Sequence, residues 1–148
     1  MVAVTFDVPG VPAPKGSARA IRRGGYAVLV ASGSDANQSA QRAWAAAVGW
    51  SARAARVPLL TCPVAVHCVF RFARPVSHTR AQRASQAHTH KPDVDKLLRC
   101  TLDALTGIAY ADDRQCVDVR GVKRWCAEGE APGAMIEVRT VDEPGSER

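Results

Sequence analysis

Four aspartates in the C-terminal half of the chain have the spacing expected of a metal-binding site. Asp93 and Asp95 are two positions apart at the start of a predicted helix, and the pair Asp112-Asp113 begins 17 residues after Asp95. Converging carboxylates repel each other unless a cation lies between them, and hard oxygen ligands suit Mg²⁺ or Mn²⁺. A metal held in this way would polarise a phosphate oxygen and activate a water for in-line attack. The pattern therefore indicates phosphodiester hydrolysis.

Each acidic residue also has a simpler explanation. Asp93 has the position of a helix N-cap, and Asp112-Asp113 has the composition of a solvated turn. Asp95, Arg99 and Asp103 follow one another at four-residue intervals, so the two carboxylates can pair with the guanidinium between them. Spacing alone favours these explanations, because it cannot show that the carboxylates converge. In the metal hypothesis, Arg99 is the candidate contact to the scissile phosphate.

Outside these aspartates the chain is basic. It has 20 Lys and Arg residues against 14 Asp and Glu, which gives a net charge of +6. This excess favours an anionic partner such as nucleic acid, although charge alone is equally compatible with a solvated surface that binds nothing. The residues predicted to contact DNA are Lys15, Arg19, Arg22, Arg23, His90, Lys91 and Lys96.

The elements that must position these residues follow from hydrophobic periodicity. Strands are predicted over residues 2–8, 26–30, 63–72, 115–125 and 134–141, and helices over 40–56 and 93–105. Residues 15–23 are predicted to form a basic loop, and residues 73–90 a mobile polar loop. The mixture predicts an α+β fold with antiparallel hairpins, a mixed sheet flanked by helices, one domain over residues 1–142 and a disordered tail over 143–148.

Several classes of protein are disfavoured. The five cysteines contain no CxxC pair, and their spacing with the histidines matches no standard zinc finger. The N-terminus does not have the composition of a signal peptide, and no apolar run approaches the length of a membrane span. We therefore expect a cytoplasmic protein without a membrane partner.

The acidic motifs resemble the core of the RusA family of Holliday junction resolvases. The resemblance is carried by Lys91–Arg99, Asp103–Leu105 and Asp112–Val117. The family pattern is close to D-x-D-N-x-x-K, then D-A-L, then D-D-x-Q-V. The similarity is good over residues 91–125 and includes the opening Pro9–Lys15, but it is weak between these segments.

This resemblance implies a function and a set of roles. Asp93, Asp95 and Asp113 would bind Mg²⁺, for which Mn²⁺ substitutes, and Asp112 would assist. The protein would be a structure-selective endodeoxyribonuclease that resolves branched DNA by paired nicks in recombination and repair, in a bacterial or phage-infected cell. It would act as a homodimer, because a four-way junction has two-fold symmetry and a symmetric dimer presents two identical sites.

The chain departs from the family pattern at two positions. Lys96 stands where the family has asparagine, and Arg99 stands where it has an essential lysine. Arginine keeps the positive charge but not the geometry or proton affinity of lysine. These departures leave a second hypothesis open, a DNA-junction binding protein that does not cleave.

Overall fold

The computed structural model describes residues 1–16, 18–31 and 35–142. Its strands are β1 (Ala3–Pro9), β2 (Ala18–Arg23), β3 (Tyr26–Ala31), β4 (Val64–Phe72), β5 (Cys116–Trp125) and β6 (Gly133–Thr140). Its α-helices are α1 (Asp35–Ala54), α2 (Arg80–Arg83) and α3 (Val94–Leu105), and a single 3-10 turn covers Asp113–Gln115. The predicted tail over residues 143–148 lies outside the described residues.

The strands form two sheets. The larger sheet has the order β1-β6-β4-β5, in which β4 and β5 are parallel and the other pairs are antiparallel. A parallel pair needs a long crossover connection, and here α2 and α3 lie within it. Strands β2 and β3 form a separate antiparallel hairpin through Gly24-Gly25, whose positive φ angles of 53° and 85° glycine adopts without strain. The predicted α+β class and mixed sheet are confirmed.

The core lies between the sheet and the two longer helices. Trp44, Val48 and Ala52 are buried on one face of α1, as the helical spacing predicted. Trp50 is 74 % exposed and therefore does not belong to the core. The Trp44 indole donates a hydrogen bond of 3.3 Å to the hydroxyl of Thr101, so a buried polar pair joins α1 to α3. This packing fixes α3, the helix that carries the acidic residues.

Two predicted loops contain regular structure. The prediction of a basic loop over residues 15–23 is wrong from Ala18 onward, because β2 pairs with β3 along its whole length. The polar segment 73–90 contains α2, which begins with a capping box between Thr79 and Gln82, and Ala87 bridges to Arg124 of β5. The T-x-x-Q spacing of that box was available in the sequence.

No helix in the described ranges is long and apolar enough to cross a membrane. This finding concerns the described helices alone.

The contact between β5 and α3 leaves no room for a side chain at Gly121. A Cβ there would lie 2.8 Å from Leu98 Cδ1 and 2.9 Å from Val94 Cγ2. We expect Gly121→Ala to cost about 1–3 kcal/mol through overpacking, and each kcal/mol lowers Tm by about 2–4 °C in a chain of this size. Thermal unfolding followed by circular dichroism measures the effect.

Gly49 provides the matched control for this substitution. A Cβ at Gly49 would meet Ile108 at 3.4 Å, an ordinary contact, and Gly49 lies inside α1. Gly49→Ala should therefore leave Tm unchanged or raise it. A Gly121→Ala variant as stable as the native chain would contradict the packing of α3 on β5.

Candidate active site

Asp93 and Asp95 lie at the N-terminus of α3 with exposed carboxylates. Asp93 occupies the N-cap position, but its side chain forms no capping hydrogen bond and is 61 % exposed. The helix-cap explanation of its carboxylate is therefore wrong. Asp95 is exposed in the first turn, and within the described residues its side chain forms no hydrogen bond or ion pair. The positive end of the helix dipole favours negative charge at both positions.

Asp112 and Asp113 differ in their surroundings. The Asp112 carboxylate accepts a hydrogen bond of 3.0 Å from the Arg114 N–H, and the Gln115 side chain accepts one of 3.1 Å from the Asp112 N–H. Asp112 is therefore the cap of the 3-10 turn. The prediction that Asp112 is a turn residue is confirmed. Asp113 is exposed, and in the described part of the chain its carboxylate forms no hydrogen bond or ion pair.

The two acidic pairs adjoin different parts of β5. Val94 at the start of α3 packs at Gly121, whereas Asp113 precedes Cys116, the first residue of β5. The strand between Cys116 and Gly121 is about 16 Å long at 3.3 Å per residue. The Tyr110 hydroxyl donates to the Leu102 carbonyl at 2.7 Å and so holds the turn before Asp113 at the C-terminal half of the helix.

The described residues gather two of the predicted metal ligands, Asp93 and Asp95, at one place. Among residues 1–16, 18–31 and 35–142, no group of three or more His, Cys, Asp or Glu side chains is placed to hold a metal ion. The convergence of all four aspartates on one metal ion stays a prediction. Asp93 and Asp95 provide two carboxylates at one place, and Asp113 provides one at another.

The ion pairs of α3 are not those that the four-residue spacing of Asp95, Arg99 and Asp103 allowed. Asp103 pairs with Lys15 at 2.6 Å and not with Arg99, which is exposed and forms no ion pair within the described residues. The Lys96 ammonium lies 3.9 Å from the Asp93 carboxylate. Arg99 is thus free to meet a phosphate, whereas Lys96 competes for the charge of a candidate metal ligand.

The other predicted DNA contacts are spread over two regions. Arg22 is exposed on β2, but the side chains of Arg19 and Arg23 on the same strand lie outside the described part of the chain. His90 and Lys91 are exposed directly before Asp93. Two of the predicted contacts therefore adjoin the candidate metal ligands.

Sequence reasoning missed a cluster of aromatic side chains beside this position. The His88 ring is 5 % exposed and stacks on Trp125 with ring centroids 3.9 Å apart, while His78 meets the same indole at 5.0 Å. Burial and the charge of Lys123 lower the pKa of His88, and its Nδ1 accepts the His90 N–H at 3.2 Å. The unusual density of histidine over residues 78–90 was the available signal.

An α+β domain with uncapped carboxylates at a helix start and a basic surface has the features of a nucleic-acid hydrolase. The family model described as Endodeoxyribonuclease RusA matches residues 9–139, most of the chain. The chain therefore belongs to the RusA family of endodeoxyribonucleases, which are Holliday junction resolvases, and the resemblance drawn from its acidic motifs is confirmed. The comparison with curated proteins gave no match.

Proposed function

We propose that this chain is a Mg²⁺-dependent, structure-selective endonuclease that resolves four-way DNA junctions by paired nicks. Its role would be in recombination and repair, in the cytoplasm of a bacterial or phage-infected cell. The observation that carries the proposal is the pair of exposed carboxylates at the start of α3, in a chain that the family model matches over residues 9–139.

The donor set at the helix start fits Mg²⁺ in part. Asp93 and Asp95 offer the hard, exposed oxygen ligands that Mg²⁺ or Mn²⁺ prefers. The chemistry that a bound divalent cation supplies is polarisation of a phosphate oxygen and activation of a water. Two carboxylates leave the proposed set incomplete, because within the described residues no third metal-ligating side chain is placed with them.

We infer that a homodimer completes this set. Asp93 and Asp95 of one protomer would act together with Asp113 of the partner subunit, and the symmetric pair would form two such sites. Asp112 would assist by capping the turn that carries Asp113, since its own carboxylate already accepts the Arg114 N–H. Two identical sites suit a substrate that needs two matched nicks.

Arg99 would serve as a fixed positive charge at the scissile phosphate. A guanidinium is a fixed charge with several donors, so it suits the stabilisation of developing charge and not the transfer of a proton. Phosphate contacts elsewhere along the junction are proposed for Lys15, Arg19, Arg22, Arg23, His90, Lys91 and Lys96. Such contacts position the DNA without reading its sequence, which agrees with selection by branch structure.

Incubation of the purified protein with four-way, forked and linear duplex DNA tests this function. Symmetric nicks near the branch point of the four-way junction, formed with Mg²⁺ or Mn²⁺ and suppressed by EDTA, are expected. Binding of the junction without nicking in either metal would instead support the non-catalytic junction-binding protein. That alternative is favoured by one contact, the Lys96 ammonium beside Asp93.

Replacing Lys96 with asparagine should lower the Mg²⁺ concentration that cleavage requires. The substitution removes a cation 3.9 Å from the Asp93 carboxylate. Because exposed ion pairs contribute up to about 1 kcal/mol, the Mg²⁺ concentration for half-maximal cleavage should fall by up to about fivefold. Arg42→Gln removes the same charge from an exposed position on α1 and should leave that concentration unchanged.

A Mg²⁺ titration of junction cleavage, read beside junction affinity, separates the two roles open to Lys96. Weaker junction binding with an unchanged Mg²⁺ requirement would identify Lys96 as a phosphate contact and contradict its competition with the metal.

A further inference from the structure

Lys123 of β5 reaches the backbone directly before the acidic pair. Its ammonium donates a hydrogen bond of 2.7 Å to the Pro92 carbonyl and another to the His90 carbonyl. Within the described residues it forms no ion pair with a carboxylate, so the dipoles of the two carbonyls stabilise its charge. We propose that Lys123 is a positioning residue that holds the segment His90–Asp93 in the form in which Asp93 and Asp95 bind a divalent cation. This inference rests on the proposed function.

The neighbouring residues of β5 support the same segment. Residues two apart along a strand share one face, and Gly121, Lys123 and Trp125 do so here. Gly121 receives Val94 and Leu98, Lys123 holds the carbonyls before Asp93, and Trp125 stacks on His88. The Trp125 N–H also donates to the Gln86 carbonyl at 2.9 Å. One face of β5 thus contacts the chain from residue 86 to residue 98.

The contacts of Lys123 differ from those of a solvated lysine. Its side chain is partly buried, and two of its three N–H donors are directed into the protein. Bonds from an ammonium are stronger than those between neutral groups, and both accepting carbonyls lie within three residues of Asp93. Groups that orient metal ligands without touching the metal typically change metal affinity or activity by 10- to 100-fold.

Lys123→Met removes the ammonium and keeps the length of the side chain. In the metal-free protein, hydrogen exchange at the first hydrogen-bonded amides of α3, from Leu97 onward, should accelerate by about tenfold or more, because the helix start loses its anchor. Calorimetric Mn²⁺ affinity and the kcat of junction cleavage should each fall by about 10- to 100-fold, while the KM and Kd for the junction stay unchanged. Lys123→Arg, which retains the charge and the donors, should restore part of each loss.

Arg120→Met is the matched control. Arg120 lies on the opposite face of β5, is 70 % exposed and pairs with Asp118, so its loss removes the same charge without touching His90–Asp93. If Lys123→Met fails to fold, Lys123→Gln, which keeps an amide donor, takes its place. The proposal would be overturned if Lys123→Met kept the hydrogen-exchange rates and the Mn²⁺ affinity of the native chain. It would also be overturned if the substitution weakened only the binding of the junction. Failure of the proposed function is distinguishable, because the native chain itself would then neither bind Mn²⁺ nor cleave.

Discussion

Asp95→Asn is expected to abolish cleavage of a four-way junction while leaving junction binding unchanged or tighter. Asparagine keeps the size of the side chain and removes the charge that would hold a divalent cation. A metal contributes several kcal/mol of charge stabilisation to such reactions, so the cleavage rate should fall by about 10³-fold or more. Binding should not weaken, because the substitution also removes a negative charge from a surface that faces phosphates.

Single-turnover cleavage of a labelled synthetic junction in Mg²⁺, together with a gel-shift measurement of Kd, checks both parts of this expectation. Glu128→Gln is the charge-matched control, since Glu128 is exposed in the connection between β5 and β6. It should cleave like the native chain. Unchanged cleavage by Asp95→Asn would reject the assignment of Asp95, and a parallel loss of binding would show that the carboxylate has a structural role.

The helix that carries Asp95 shows what sequence patterns determine. Hydrophobic periodicity predicted a helix over residues 93–105, and the structure places it over Val94–Leu105. Hydrophobic periodicity likewise predicted a helix over residues 40–56, and α1 covers Asp35–Ala54 with Trp44, Val48 and Ala52 buried. Such patterns are local, because they depend on which side of one element must leave water.

The relation between the two acidic pairs depends on a long-range contact and had no such signal. Gly121 meets Val94 across 27 residues, and this contact directs α3 and β5 in opposite directions. The parallel pairing of β4 with β5 is equally non-local. For the same reason the sequence showed that Lys123 is charged but not that it bonds the Pro92 carbonyl, 31 residues away.

Asp93 and Asp112 show a further limit of spacing. Both have an acceptable N-cap residue type, and both lie directly before a helical turn. Only Asp112 uses its carboxylate as a cap, because Gln115 completes a reciprocal pair with it, whereas Asp93 has Lys96 at the corresponding position. A glutamine three residues after an acidic cap is thus the local feature that separates the structural carboxylate from the free one.

A heterodimer of Asp95→Asn and Asp113→Asn should recover nicking activity that neither homodimer has. If each metal site takes Asp95 from one protomer and Asp113 from its partner, the heterodimer has one site with both losses and one with none. If each site lies within one chain, every site of the heterodimer has one loss. Random exchange makes half of the dimers mixed, so about one quarter of the native number of sites should be restored.

Co-expression with two different tags, followed by purification on both, gives the heterodimer directly. It should nick one strand of the junction and not make paired nicks, because only one of its two sites is intact. A heterodimer of Asp93→Asn with Asp95→Asn is the matched control, since both losses fall in the same half of the site and neither site is whole. An inactive Asp95→Asn/Asp113→Asn heterodimer would contradict the shared site, and the placement of Asp113 beyond the far end of β5 would then have to change when DNA binds.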